Sequence, residues 1–111
     1  FIDQMPEYSS ELYVSKKMKT TPQTSLEALK KLIPVIEGIQ DFTTENIHDA
    51  LFKQIEADGV KNGLYLYPLR VALSGKAVTP GGGVELAKIL GKQDTLDRMH
   101  KAVGKLTAEI G

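Results

Sequence analysis

Between Leu96 and Ile110 the apolar residues fall at Leu96, Met99, Val103, Leu106 and Ile110, three or four positions apart. A strand alternates every two residues and cannot bring these side chains to one face. An α-helix, turning every 3.6 residues, does. The same rhythm runs through Leu26, Leu29, Ile33, Ile36 and Ile39. It returns in Ile47, Leu51 and Ile55, with Ala50 beside them. Helices with one apolar stripe are stable only when the stripes are buried against each other. The expected fold is therefore all-α: a compact bundle of five or six helices.

Punctuation between the stripes sets the expected boundaries. Thr24 with Glu27 three positions later has the capping-box spacing, so a helix is expected to start there. Pro34 interrupts its stripe, and an interior proline costs on the order of 3 kcal/mol, so a kink or break is expected. Thr43 caps the next helix, with Phe42 and Ile47 spaced for a hydrophobic staple and Asp58-Gly59 ending it. Residues 60–64 read as a turn around Asn62 and Gly63. Tyr65 and Tyr67 alternate with Leu64 and Leu66 too briefly to define a strand, and a helical lead-in is expected. Residues 1–23 are the least periodic. A lead-in helix from Ser9 or Ser10 would carry Lys16, Lys17 and Lys19 in its last turn, with a linker at Thr20–Pro22.

The stretch from Pro68 to Gly91 holds the most specific pattern. Leu69, Ala72 and Leu73 form a stripe flanked by Arg70, and Gly75 is placed as a left-handed helix cap. Thr79 then reads as an N-cap and Pro80 as a first helical residue, followed by Gly81, Gly82 and Gly83. Bare backbone at a helix start lets another molecule approach closely. An apolar run from Val84 to Leu90 follows, and Lys92 to Asp94 open the last helix. Gly104 is expected to weaken that helix.

The 111 residues suit one domain, expected to span 1–111, with 1–23 as lead-in and 24–111 as helical core. The chain starts at Phe1 without Met and reads as a piece of something longer. It has no cysteine, which excludes disulfides and thiolate metal sites. No apolar run approaches the roughly 20 residues of a membrane span. Formal net charge is zero, but its distribution is uneven. Residues 1–59 carry six lysines against ten acids, and residues 60–111 carry eight Lys and Arg against four acids. That asymmetry can place a basic face on a neutral molecule.

Catalytic patterns fail one by one. Gly75-Lys76 is followed by Ala77 rather than Ser or Thr, so it is not a phosphate-binding loop. No nucleophile elbow occurs. Asp94 and Asp97 sit at helical spacing on an exposed face. His48 lies one residue off its stripe with no second ligand a turn away, and His100 beside its stripe reads as structural. No catalytic or metal-ligating residue is assigned.

PLRVALSG, TPGGGVELAKILGK and TLDRM, in that order and spacing, resemble the C-terminal anticodon-binding region of bacterial-type glutamyl-tRNA synthetases, which are class I aminoacyl-tRNA synthetases. The family carries a PLRxALTG segment, a TPG turn, an apolar helix and an LGKExTLxRL segment. The resemblance extends upstream through FTTENIHDAL and weakly to PEYSSELYVSKKMK. It implies an all-α anticodon-binding fold and a cytoplasmic, monomeric glutamate–tRNA ligase as parent. The implied partners are tRNA-Glu and the upstream domains of the synthetase. Single-stranded loop bases are read by stacking and by bonds to their edges. Arg70 aligns with the family arginine that contacts an anticodon base, and Thr79, Pro80, Gly81 and Gly82 with the turn lying against the anticodon. Lys76 and Lys61 are candidate phosphate contacts.

Many family members have a leucine and an aromatic residue after TPG, where this chain has Gly82 and Gly83. Apolar contact with that base is then lost or supplied by Val84. The family's HIGH and KMSKS motifs, which serve ATP, are missing, and SKKMK has the wrong order for the latter. The resemblance therefore implies no cofactor in this chain, ATP and Mg belonging to the parent. The competing class is a helical protein-interaction or structural module. There, Gly82 and Gly83 would fit two helices closely, Arg70 would pair with an acid such as Glu85, and Lys76, Lys88 and Lys92 would be solvated charges.

Overall fold

The computed structural model describes residues 20–75 and 82–110. Five helices follow one another: α1 (Pro22–Glu37), α2 (Thr44–Asp58), α3 (Asn62–Ser74), α4 (Gly83–Leu90) and α5 (Lys92–Ile110). No strand occurs among the described residues. α1 packs chiefly on α5 and α3, and α3 is the one helix among these five in contact with all the others.

The stripes meet in one core. Leu26, Leu29, Ile33, Ile36 and Ile39 from the first segment join Ile47, Leu51 and Ile55 from α2 and Leu69, Ala72 and Leu73 from α3, all buried. In α5 the buried line is Thr95, Met99, Ala102 and Leu106, while Leu96 and Val103 are half-buried. The true centre lies one residue from the expected stripe because threonine and alanine hide in it. Thr95 is tolerated there because its hydroxyl donates to the Ala87 carbonyl at 3.3 Å.

Several boundaries differ from expectation. α1 starts at Pro22, not Thr24: Thr21 is the N-cap, its hydroxyl accepting from the Thr24 N–H at 3.1 Å. Thr24 returns the bond to the Thr21 N–H at 2.8 Å, so threonine fills the place where Glu27 was expected to act. The linker at Thr20–Pro22 is thus a cap and a first helical residue. Pro34 does not break α1, which runs one turn further. It is exposed, so the carbonyl it leaves without a partner faces water. Asn62 and Gly63 are the first turn of α3 rather than a separate turn. α4 begins at Gly83 with Gly82 as N-cap; the start expected at Thr79–Pro80 lies outside the described residues. Gly104 is exposed within a continuous α5. The lead-in helix expected near Ser9 lies outside the described residues.

Other expectations hold. Thr43 caps α2 through the Asn46 N–H at 3.1 Å. Gly75 closes α3 at φ 71°, ψ 18°, its N–H donating to the Val71 carbonyl at 2.7 Å. His48 is exposed, as expected of a surface histidine, and stacked on Phe52; His100, expected to be structural, is instead exposed, away from the core. Lys92 is not a merely solvated charge: its ammonium donates to the Ile39 carbonyl at 2.7 Å, tying the start of α5 to the loop after α1.

Candidate nucleic-acid interface

Arg70 sits one turn before the end of α3, between Leu69 and Val71, both fully buried. Its own side chain is half-buried, since it flanks the stripe rather than lying in it. The two glycines that start α4 come against this turn in different ways. A Cβ on Gly83 would stand 2.9 Å from Leu69 Cδ2 and 3.1 Å from Cγ, in a packed core. Gly83 is therefore a packing glycine, where α4 rests on α3. A Cβ on Gly82 would instead meet Glu85 Oε2 at 3.3 Å and Arg70 Nη2 at 3.9 Å. Gly82, the N-cap of α4, thus lies where a guanidinium and a carboxylate converge.

Of the residues expected to bind, Arg70 and Gly82 are brought together. Lys61 is exposed at the N-cap of α3. Nine residues separate it from Arg70, about 13 Å along a helix, so it does not share their spot. Thr79, Pro80, Gly81 and Lys76 lie outside the described residues. Val84 is buried at 8% exposure, so it does not stand in for the missing leucine and aromatic residue.

Bonds to backbone carbonyls hold the end of α3. Besides the Gly75 cap, the Ser74 hydroxyl donates to the Arg70 carbonyl at 2.7 Å. Arg98 of α5 donates through Nη1 to the Leu73 carbonyl at 2.6 Å. A cation suits the carbonyl-rich end of a helix. The Arg98 bond was not legible in the sequence; the available signal was a basic residue flanking the α5 stripe.

The opposite end of α3 carries a second polar cluster that the sequence did not announce. The Asp58 carboxylate accepts from the Tyr65 hydroxyl, from Gln54 at 3.0 Å and from Lys31 at 3.3 Å. The Tyr65 and Gln54 bonds lead in holding Asp58 below its ordinary value. Burial, with the Asp58 bond behind it, pushes the Tyr65 phenol up to about 12. Among the described residues, no three His, Cys, Asp or Glu side chains gather as a metal-binding group. None of their helices is long and apolar enough to cross a membrane.

Fold and site together define an all-α domain that presents a surface. The chain belongs to the anticodon-binding domain family, whose model matches residues 1–103. It is 52% identical over 110 residues to a glutamate–tRNA ligase of Clostridium tetani (strain Massachusetts / E88), covering 99% of this chain and 22% of that protein. It is 47% identical over 106 residues to the corresponding ligase of Clostridium acetobutylicum, covering 96% of this chain and 22% of that one. Among solved structures it is similar to a glutamate tRNA ligase from Elizabethkingia meningosepticum, in complex with its amino acid, with a TM-score of 0.75 and 28% identity. That likeness covers 93% of this chain and 20% of the other. The chain thus spans about a fifth of the relatives it matches.

Proposed function

We propose that this chain is the tRNA-binding part of a glutamate–tRNA ligase, presenting the joint between α3 and α4 to the anticodon loop of tRNA-Glu. The single C-terminal anticodon-binding domain would occupy 1–111, with its helical core opening at Pro22. The observation that carries the reading is the convergence of Arg70 and Gly82 in a member of this family. A guanidinium offers a planar face for stacking and a fork of donors for a base edge. Gly82 leaves the backbone beside it bare. Thr79, Pro80 and Gly81 would complete the surface, and Lys76 and Lys61 would meet phosphates at its margins.

ATP and Mg, and with them glutamate activation, are assigned to the rest of the parent enzyme. The role proposed for the described residues is binding alone. The upstream domains of the synthetase are the other partners. A monomeric enzyme in the cytoplasm follows from the same reading.

The test is tRNA binding to the full-length ligase at fixed salt, using cognate tRNA-Glu and the same tRNA with a substituted anticodon. Arg70→Ala should weaken cognate binding by about 1–3 kcal/mol, roughly five- to 150-fold, and the substituted tRNA much less. Arg70→Lys should recover little, because an ammonium lacks the planar fork. Equal losses for both tRNAs, or full recovery with lysine, would overturn the role of Arg70.

A further inference from the structure

Arg70 lies between two residues of α3, Leu69 and Leu73, that other helices fix. Leu69 lies under Gly83 of α4, where not even a methyl group fits unless Leu69 yields. Leu73, one turn on, has its carbonyl held by Arg98 of α5 at 2.6 Å. Arg98 is half-buried, and the residues around it on α5, Thr95, Met99 and Ala102, are in the core. Its guanidinium is thus carried on a rigid element and reaches a carbonyl that the helix itself leaves without an N–H. The turn that carries Arg70 is clamped on one side by α4 and on the other by α5.

We infer that Arg98 is a positioning residue for recognition: by holding the Leu73 carbonyl it fixes the last turn of α3 and so the angle at which Arg70 and Gly82 meet a base. This rests on the anticodon-reading function proposed above. The role needs one charged N–H donor at the carbonyl, not a planar fork. Arg98 and Arg70 should therefore answer oppositely to lysine. At Arg98 lysine keeps the donor and should rescue, whereas at Arg70 it should not.

The experiment uses the full-length ligase with Arg98→Met, Arg98→Lys and Ser74→Ala, measuring binding of cognate and anticodon-substituted tRNA-Glu at fixed salt. Arg98→Met should weaken cognate binding about tenfold, the worth of one hydrogen bond to a charged group, and leave the substituted tRNA nearly unchanged. Arg98→Lys should restore most of the discrimination. Hydrogen exchange at the Gly75 amide should speed up in Arg98→Met relative to amides in α1, and return towards wild type with lysine. Should Arg98→Met fail to fold, Ser74→Ala removes the neighbouring bond in the same turn and should reduce discrimination about fivefold. Equal weakening of both tRNAs, or discrimination unchanged in Arg98→Met and Ser74→Ala, would overturn the inference while leaving the function standing. A wild-type ligase indifferent to the anticodon would overturn the function itself, and the inference with it.

Discussion

The two ends of α3 are both polar, but they are built differently. At the N-terminal end Tyr65, Gln54 and Lys31 all converge on Asp58. Every partner there is a side chain of α1, α2 or α3, and the cluster closes on itself. At the C-terminal end Ser74, Gly75 and Arg98 each donate to a backbone carbonyl. They brace the turn, while the Arg70 side chain extends towards Gly82. One end ties three helices together, and the other braces the backbone beside the residue proposed to read a base. A polar cluster that satisfies itself argues for stability. A braced backbone carrying a half-buried arginine beside a bare glycine argues for recognition.

The core beneath both ends sets the scale for breaking this comparison. Leu51→Ala and Met99→Ala remove fully buried side chains and should each cost about 2–5 kcal/mol in urea unfolding. Losses near those of a surface change would mean the buried faces are wrongly assigned. Gly83→Ala should come next, at about 1–3 kcal/mol, because its methyl would press on Leu69 within a packed joint. A neutral Gly83→Ala would show that α4 rides loosely on α3, and the recognition end would lose its brace.

Tyr65→Phe should cost less, about 1 kcal/mol for a buried hydroxyl bond, and it should also change the pH profile. Tyr65 has its folded pKa raised to about 12. The stability it contributes is fully present below the unfolded value near 10, and is lost as pH rises from there to about 12. Asp58 has its folded pKa lowered from 3.8. Its contribution is present above that value and disappears as pH falls below it. Melting curves across pH should show both losses in the wild type, with the alkaline one absent in Tyr65→Phe. The smallest effect belongs to Lys88, exposed on α4. Lys88→Ala should stay within roughly 0.5 kcal/mol.

The stability framework was largely legible in the sequence, because helical periodicity is local and Ile47, Leu51 and Ile55 report it directly. Boundaries were less so. Thr24 and Glu27 satisfy the capping pattern as well as Thr21 and Thr24 do, and only the fold chooses between them. α4 has Gly82 as its N-cap, and Gly83, its first residue, fits against Leu69; the start read at Thr79 lies outside the described residues. At the proposed site, Arg70 and Gly82 were named through the resemblance, and the structure adds that they lie side by side. That Gly82 faces Arg70 and Glu85 while Gly83 packs on Leu69 was not legible, since the two are identical until α3 is placed beside them. The Asp58 and Arg98 bonds join residues of different helices, which periodicity cannot pair.

The central claim is that the two ends of α3 do separable work, and one paired measurement tests it most directly. Arg70→Ala and Tyr65→Phe are introduced into the full-length ligase. For each, the ratio of cognate to anticodon-substituted tRNA affinity is determined alongside the melting temperature. The account predicts that Arg70→Ala collapses the ratio with little change in melting, while Tyr65→Phe lowers melting and leaves the ratio intact. If Arg70→Ala lowered the melting temperature as much as Tyr65→Phe does and kept the ratio, Arg70 would be a structural residue and the account would be wrong.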